Sequence, residues 1–410
     1  MFDNVFDELR YRGFIEQSTD EAVLRDLLTK QKVTSYIGFD PTADSLHVGS
    51  LVQIMALYHM QKYGHRPIAL FGGGTAMIGD PSGKTELRKM LTRETIGANA
   101  ESIKKQVGKY IDFSENGTAV AVDNADWLLG LSYIEFLRDI GRNFSVNRML
   151  AAESYKMRME TGLNFIEFNY QILQAYDYLE LYRRHKCVLQ MGGNDQWGNI
   201  VAGIDLIRRM EGAEVYALTT PLVTTASGQK MGKTAQGAVW LDPQRYKPYD
   251  FYQYWVNVDD QDVIRFMKLF TIMTPEEIAP YESLEGADLR QAKQRLAFEL
   301  TAFIHSREDA EEAQKAAEAL FGEGGAKAGA PETTVTSEEI GDGMPITALF
   351  AKVGLAPSSS EARRMIRGGG LYFKDERVTD ERYLVTVKDF SEGDILLRAG
   401  KKRYHLVKLQ

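Results

Sequence analysis

Cysteine is almost absent from this sequence of 410 residues, which contains only Cys187. One cysteine excludes an intramolecular disulfide framework and is typical of a protein from a reducing compartment, so we expect a cytoplasmic location. The 6 histidines show no metal-ligand spacing with that cysteine. The sequence therefore predicts no structural metal site.

Long apolar runs are also missing. No segment approaches the roughly eighteen uninterrupted apolar residues that a membrane helix requires. The start "MFDNVFDELR" is acidic and has no apolar core of the kind found in signal peptides. We expect neither a membrane segment nor export.

Charge is distributed unevenly along the chain. The formal net charge is -8, yet the stretch from Pro345 to Gln410 contains 13 Lys and Arg against 8 Asp and Glu. The negative net charge argues only weakly against nucleic-acid binding, because it averages over segments of opposite sign. The sequence predicts a small basic module attached to an acidic body.

The pattern of elements predicts an α/β protein of several domains. The segments "TSYIGFD", "SLVQIMALYHMQKYG" and "RPIALFGGG" read as strand, helix and strand, a βαβ unit that predicts a parallel sheet with ligands at its carboxyl edge. "TAVAVDNADWL", "CVLQMGGND" and "VYALTTPLVT" supply further strands. We predict an N-terminal helical segment (1–34), a Rossmann-like parallel-sheet domain (35–245), an α-helical domain (246–321), a Gly/Ala/Pro-rich linker (322–342) and a small α+β domain (343–410).

The first candidate motif is "GFDPTADSLHVGS". A strand ends at Phe39, Asp40-Pro41 forces a turn, and Gly49 allows a backbone to approach a ligand closely. Taken alone, a helix-capping loop with a surface histidine at His47 is the simpler explanation.

Two glycine-containing loops carry positive charge. "GGGTAMIGDPSGKTELRK" brings Lys84 and Arg88 close to glycines, but Ile78 occupies the position at which a Walker phosphate loop requires glycine. "SGQKMGKT" has Lys230 and Lys233 on either side of a glycine. Cations beside glycines suit polyphosphate, and solvated surface loops have the same composition.

Polar residues recur in phase in "NYQILQAYDYLELY". Tyr170, Gln174 and Asp177 lie on one face of the predicted helix, which is either a binding face or a solvated outer face. In "MGGNDQWGNI", Asp195 and Gln196 follow a strand, a position that suits ribose hydroxyls or a carboxylate.

The combination of motifs is more specific than any one of them. With "HVGS" in place of the HIGH motif and "KMGKT" in place of the KMSKS motif, the chain resembles the class I aminoacyl-tRNA synthetases. The phrases "YIGFDPTADSLH", "GDPSGK", "YQILQAYD" and "GGNDQWGNI" resemble the bacterial tyrosyl-tRNA synthetase family in particular, and the basic module resembles that family's S4-like RNA-binding domain.

The resemblance implies a ligase reaction in two steps. ATP activates L-tyrosine to tyrosyl-adenylate with release of pyrophosphate, and the tyrosyl group then moves to the 3′ end of tRNA(Tyr). It implies Mg²⁺ on the ATP phosphates, no tightly bound cofactor and no protein-bound metal.

The resemblance also assigns site residues. It assigns catalysis to Thr42, His47, Lys84, Arg88, Lys230, Lys233 and Thr234. It assigns tyrosine binding to Tyr36, Asp80, Tyr170, Gln174, Asp177 and Gln196. It assigns ATP binding to Gly38, Asp40, Gly49, Ser50, Gly193, Asp195 and Lys233.

The basic module and the expected partners complete the prediction. Arginines on a short serine-capped helix, next to a glycine run and a β-ribbon, suit an RNA backbone, although a merely solvated basic face is the alternative. The expected RNA-binding residues are Arg363, Arg364, Arg367, Lys401, Lys402 and Arg403. The expected partners are tRNA(Tyr), L-tyrosine, ATP and a second copy of the chain, with no membrane and no DNA.

Two alternative functions remain open. One is another class I enzyme such as a tryptophanyl-tRNA synthetase, against which the pair of Tyr36 and Asp177 argues. The other is a non-catalytic RNA-binding protein descended from a synthetase, against which the presence of Lys230 and Lys233 argues.

Overall fold

The computed structural model describes most of the chain in two compact units, Met1–Ala310 and Glu311–Gln410. The described residues are 2–81, 91–151, 155–156, 159, 162–226, 228, 231–234, 237–286, 288–321, 331–341, 343–374, 376–391, 393–400 and 403–410. The five predicted domain ranges are finer than this division and remain predictions.

The first unit is built on a six-stranded sheet. Its strands are β1 (Gln17–Ser18), β2 (Thr34–Phe39), β3 (Arg66–Phe71), β4 (Val120–Asp123), β5 (Cys187–Gly193) and β6 (Tyr216–Thr220). Their order is β1-β6-β5-β2-β3-β4, with β2 to β6 parallel and β1 antiparallel to β6. This confirms the predicted Rossmann-like parallel sheet. A separate antiparallel pair, β7 (Lys233–Thr234) and β8 (Gly237–Ala238), follows β6 along the chain. The short strand β1 lies inside the predicted N-terminal helical segment and was not predicted.

The strand order determines where a ligand can bind. From β2 the chain adds β3 and β4 on one side, and then returns to the other side of β2 with β5 and β6. The order therefore reverses between β2 and β5. In open parallel sheets, such a switch point leaves a crevice at the carboxyl ends of the two strands, because their connections run to opposite faces.

Helices surround this sheet and continue beyond it. They are α1 (Val5–Arg12), α2 (Glu21–Lys30), α3 (Leu51–Lys62), α4 (Arg93–Val107), α5 (Ala125–Leu128), α6 (Tyr133–Asp139), α7 (Val146–Leu150), α8 (Phe165–His185), α9 (Trp197–Glu211), α10 (Pro248–Val256), α11 (Val263–Phe270), α12 (Pro275–Ile278), α13 (Leu289–Ile304) and α14 (Arg307–Phe321). No helix of the described residues is long and apolar enough to cross a membrane.

Helices α10 to α13 belong to the same unit as the sheet. Arg12 of α1 is buried and donates hydrogen bonds to the carbonyl oxygens of Lys268, Thr271 and Met273, at 2.8–2.9 Å. Glu8 accepts from the Arg12 guanidinium at 2.8 Å, so the buried charge is compensated. These contacts fix α11 against the N-terminal helix.

The second unit has a mixed sheet with short helices. Its strands are β9 (Glu332–Val335), β10 (Met344–Pro345), β11 (Leu371–Phe373), β12 (Glu376–Arg377), β13 (Leu384–Val385), β14 (Ile395–Ala399) and β15 (Arg403–Leu409). Five of them form a sheet in the order β12-β11-β14-β15-β9, while β10 pairs with β13. Its complete helices are α15 (Ser337–Ile340), α16 (Ile346–Lys352) and α17 (Ser359–Arg367). The predicted small α+β domain is confirmed.

Candidate active site

A cleft of about 380 Å³ lies at the carboxyl ends of β2, β3, β5 and β6, on the switch point of the sheet. Most predicted site residues line it: Tyr36, Gly38, Asp40, His47, Gly49, Ser50, Asp80, Tyr170, Gln174, Asp177, Gly193, Asp195 and Gln196. Thr42 is exposed on the loop after β2 and does not line the cleft. Lys84, Arg88 and Lys230 lie outside the described residues, as do the side chains of Lys233 and Thr234.

The polar face of α8 is turned inward. Tyr170 is 5% exposed and Asp177 is 2% exposed, and both line the cleft together with Gln174. The alternative of a solvated outer face is therefore wrong. Because positions i, i+4 and i+7 share one side of a helix, a single element supplies three hydrogen-bonding groups to the cleft.

Asp177 is held by two donors. Asn124 donates to one carboxylate oxygen at 2.9 Å, and the Trp127 indole donates to the other at 2.8 Å. Burial raises the pKa of Asp177 to about 7, although these two hydrogen bonds act to lower it. The carboxylate is thus fixed in orientation and keeps acceptor capacity for a further donor.

Two buried polar atoms of the cleft lack a partner in the part of the protein that the structure describes. Tyr36 on β2 and Gln190 on β5 occupy neighbouring positions in the sheet. They are 1% and 2% exposed, and both line the cleft. Among the described residues, neither the Tyr36 hydroxyl nor the Gln190 Oε1 has a hydrogen-bond partner. A buried polar group without a partner is costly, so this end of the cleft is suited to a ligand that carries a polar tip.

A second polar cluster connects three loops and α8. Gln196 donates to an Asp80 carboxylate oxygen at 2.7 Å, and Asn199 donates to Gln174 at 3.2 Å and to Gln196 at 3.1 Å. Tyr170 donates to Asp40 at 3.3 Å. Carboxylate, phenol and amide oxygens are the acceptors that an ammonium group requires.

The loop that contains the first signature, His47-Val48-Gly49-Ser50, is compact. The His47 Nδ1 accepts a hydrogen bond from the Gly49 N–H at 3.0 Å, which assigns the proton of the neutral ring to Nε2. A Cβ atom on Gly49 would lie 2.7 Å from the His47 ring and 3.0 Å from the Met231 carbonyl oxygen. Ser50 precedes α3, and its side chain makes no capping hydrogen bond.

Met231 and Gly232 of the second signature (residues 230–234) and the segment that follows it contact the first signature. The Val48 N–H donates to the Val239 carbonyl oxygen at 3.0 Å, and His47 forms an isolated antiparallel bridge with Trp240. Gly232 has φ +85°, and a Cβ atom there would lie 2.9 Å from the His47 Nδ1. The two signatures therefore meet at the cleft, as their combination in the sequence suggested.

Sequence reasoning missed several residues of the site. Asn124 and Trp127 donate hydrogen bonds to Asp177, and Gln190 lines the cleft together with it. Asn124 also accepts from the Gly74 N–H at 2.8 Å and donates to Thr75 at 3.0 Å. The polar residue Asn124 directly follows the apolar run of β4 and its final Asp123, which was an available signal for the Asn124 contacts. Among the described residues, no group of three or more His, Cys, Asp or Glu side chains is arranged to hold a metal ion.

The predicted RNA-binding residues of the second unit lie on two elements. Arg363, Arg364 and Arg367 belong to α17, and Arg403 begins β15, while Lys401 and Lys402 lie outside the described residues. Arg364 pairs with Glu361 at 2.6 Å and Arg367 pairs with Glu381 at 2.9 Å. Arg363 is exposed.

The chain matches two protein-family models. Residues 28–322 match tRNA synthetases class I (W and Y), and residues 324–407 match the tyrosine--tRNA ligase SYY-like C-terminal domain. It is 56% identical over 406 residues to the tyrosine--tRNA ligase of Acetivibrio thermocellus, with 99% of each chain covered. It is 55% identical to that of Desulfosudis oleivorans, with 98% of each chain covered.

The fold is also found in solved structures. A C-terminally truncated mitochondrial tyrosyl-tRNA synthetase of Aspergillus nidulans superposes with a TM-score of 0.70 at 28% identity, over 78% of this chain and 94% of the other. The corresponding Coccidioides posadasii enzyme has a TM-score of 0.66 at 32% identity, over 76% and 91%. This chain belongs to the class I tRNA synthetase family of the tryptophan and tyrosine enzymes.

Proposed function

We propose that this protein is a tyrosine--tRNA ligase, which activates L-tyrosine with ATP and transfers the tyrosyl group to the 3′ end of tRNA(Tyr). The observation that carries the proposal is the polar end of the cleft: among the described residues the Tyr36 hydroxyl and the Gln190 Oε1 have no partner, and the carboxylate of Asp177, which lines the same cleft, is held in orientation. The names of the full-length relatives support the same reaction.

Tyrosine recognition rests on the phenolic hydroxyl. Asp177 accepts a hydrogen bond from this hydroxyl, and the hydroxyl accepts one from Tyr36. Phenylalanine leaves the buried Tyr36 hydroxyl unpaired and removes one donor from Asp177, and an unpaired buried polar group costs about 1–3 kcal/mol. At the other end of the substrate, Asp80, Tyr170 and Gln174 hold the α-ammonium group, and Gln196 lies near the carboxylate.

Activation requires positioning and charge stabilisation rather than an enzyme nucleophile. The tyrosine carboxylate attacks the α-phosphorus of ATP, the bond to pyrophosphate breaks, and negative charge grows on the leaving group. Gly38, Asp40, Gly49, Ser50, Gly193 and Asp195 surround the nucleotide, with Asp195 at the ribose. ATP enters as its magnesium complex. Phosphate charge is met by Thr42, His47, Lys84, Arg88, Lys230, Lys233 and Thr234.

The transfer step uses RNA binding by the second unit. The α17 arginines Arg363, Arg364 and Arg367, together with Lys401, Lys402 and Arg403, contact the phosphate backbone of tRNA(Tyr). The net positive charge of this stretch supports the assignment. We propose a cytoplasmic location, in keeping with the single buried cysteine.

A homodimer is part of the proposal. Large apolar side chains with high exposure are concentrated between residues 129 and 166: Leu129, Tyr133, Ile134, Leu137, Val146, Met159, Phe165 and Ile166. Concentrated exposed apolar side chains are typical of protein interfaces, because contact with a partner removes their surface from water.

Amino-acid-dependent exchange of pyrophosphate into ATP tests the proposal. We expect exchange with tyrosine and none with tryptophan or phenylalanine. Tyr36→Phe should reduce the preference for tyrosine over phenylalanine about 2- to 10-fold, the worth of one neutral hydrogen bond. The matched control is Tyr110→Phe, whose buried hydroxyl donates to the Ile304 carbonyl outside the cleft.

Two results would contradict the proposal. Exchange supported by tryptophan and not by tyrosine would make the chain a tryptophan enzyme. Binding of tRNA without exchange for any amino acid would favour a non-catalytic RNA-binding protein.

A further inference from the structure

We propose that Gln106 is a positioning residue for the first signature, which it holds through the backbone of Leu46. Gln106 lies on α4 and does not line the cleft. Its effect on tyrosine activation rests on the proposed function, whereas its effect on the loop does not.

Gln106 makes two buried hydrogen bonds to the loop before His47. Its Oε1 accepts from the Leu46 N–H at 2.8 Å, and its Nε2 donates to the Ser45 Oγ at 3.2 Å. Ser45 Oγ in turn donates to the Leu46 carbonyl oxygen at 2.9 Å. Gln106 is 7% exposed and Ser45 is 4% exposed, so water does not compete freely for these bonds.

Asn99 holds the other end of the same loop. Its Nδ2 donates to the Pro41 carbonyl oxygen at 3.1 Å, and its side chain is buried. Asn99 and Gln106 are seven residues apart, two turns of α4, and so share one face of the helix. The loop from Pro41 to Leu46 has no regular secondary structure and is held by α4 at both ends.

Leu46 is also held from the opposite side. Its carbonyl oxygen accepts from the Leu241 N–H at 2.9 Å, within the segment that follows the second signature. The N–H of Leu46 is therefore fixed by α4 and its C=O by the strand-like segment around Trp240. Leu46 directly precedes His47, so both supports act on the position of the signature histidine.

This arrangement explains how a residue outside the cleft affects the chemistry. His47 and Gly49 must be in place when charge develops on the phosphates, and displacement of a catalytic group by about 1 Å can cost about 100-fold in rate. Gln106 is a neutral amide, so it contributes position rather than charge. The tyrosine pocket around Asp177 is supported by other residues, Asn124 and Trp127.

The experiment compares Gln106→Leu with Gln61→Leu in the full chain. Gln61 is a matched control, because its amide also makes two hydrogen bonds to backbone, with the N–H and C=O of Asp112 at 2.9 and 2.8 Å. Three quantities are measured: the single-turnover rate of tyrosyl-adenylate formation, the dissociation constant of tyrosine, and hydrogen exchange of backbone amides in residues 40–48.

We expect Gln106→Leu to slow adenylate formation about 10- to 100-fold and to speed amide exchange in the loop, with the tyrosine dissociation constant changed less than about twofold. Gln61→Leu should change none of the three. An unchanged rate in Gln106→Leu, or a parallel loss of tyrosine binding and activation, would overturn the proposal. If Gln106→Leu does not fold, Asn99→Ala removes one bond of the same support, and we expect about a 2- to 10-fold slower activation.

The design separates this proposal from the proposed function. If the unaltered chain shows no tyrosine-dependent exchange of pyrophosphate into ATP, the proposed function is wrong. Loop protection is then the deciding measurement for Gln106, since amide exchange requires no substrate. If hydrogen exchange of the backbone amides in residues 40–48 is the same in Gln106→Leu as in the unaltered chain, Gln106 does not support the loop.

Discussion

Asp177 combines a buried carboxylate with a pKa in the physiological range. Burial raises its pKa from the usual 3.8 to about 7, while Asn124 and Trp127 favour the ionised form through hydrogen bonds. A phenol that donates to Asp177 stabilises the carboxylate further and lowers its pKa. If tyrosine binds to Asp177 as proposed, its binding releases a proton whenever Asp177 of the free protein is protonated.

The consequence is a pH-dependent affinity for tyrosine. The affinity should rise as the pH increases towards about 7, by at most about tenfold per pH unit, and should level off above the pKa of the free protein. Titrations of tyrosine between about pH 5.5 and 8.5 measure the profile. Asp177→Asn should bind tyrosine more weakly and with a flat profile. If Asp177→Asn keeps the pH dependence of tyrosine affinity that the original protein shows, a group other than Asp177 is responsible for it.

Individual site residues differ in how far the sequence predicts them. Tyr170, Gln174 and Asp177 are predictable because one helix carries them at helical spacing. The contribution of Gln190 depends on its register with Tyr36 across two strands that are far apart in the sequence. That of Asn124 depends on β4 lying next to β3. Pairings of this kind are tertiary and leave no local pattern.

At the scale of elements, the parallel strands β2 to β6 could be predicted because each is a short apolar run that ends in glycine or polar residues. The two-residue strand β1 could not, since its pairing with β6 is set by tertiary contact and not by an apolar pattern. The bridge between His47 and Trp240 is equally non-local. Sequence similarity indicated that the two signatures act together, and the structure shows the backbone contacts that join them.

Gly232 tests whether this junction matters for activation. Alanine at Gly232 would place its Cβ 2.9 Å from the His47 Nδ1 and 3.1 Å from the Gly49 N, at a φ of +85°. Gly228 has a similar φ of +79°, and no described atom lies within 4 Å of a Cβ placed there, so Gly228→Ala carries the backbone strain without the clash. We expect Gly232→Ala to form tyrosyl-adenylate at least about tenfold more slowly than Gly228→Ala.

The Gly232 comparison uses single-turnover rates, with circular dichroism to verify the fold. Equal rates for the two variants would mean that strain alone, about 1–3 kcal/mol at such a position, accounts for the loss. The contact between the two signatures would then have no role of its own in activation.

At the scale of the whole molecule, the exposed apolar side chains bear on the oligomeric state. Ile134 is 70% exposed and Phe165 is 67% exposed. If this surface joins two copies, Phe165→Asp buries a charge in the interface and should shift the protein from a dimer towards its monomer mass of 46.2 kDa. Sedimentation velocity at micromolar concentration measures the change. Ile272→Asp, at a 45% exposed apolar residue outside this surface, is the control.

The second unit should contribute RNA affinity in proportion to its phosphate contacts. Arg363 is exposed on α17, whereas Arg364 and Arg367 form ion pairs with Glu361 and Glu381 that must be exchanged for phosphate. Each contact releases counterions, so Arg363→Ala should weaken tRNA binding and reduce the slope of log K against log salt by about 0.7–0.9. Arg363→Lys should retain most of the slope, since it keeps the charge. Lys30→Ala removes an exposed cation from the first unit and should leave the slope unchanged. A salt slope that is the same in Arg363→Ala as in the original chain would exclude a phosphate contact at this residue.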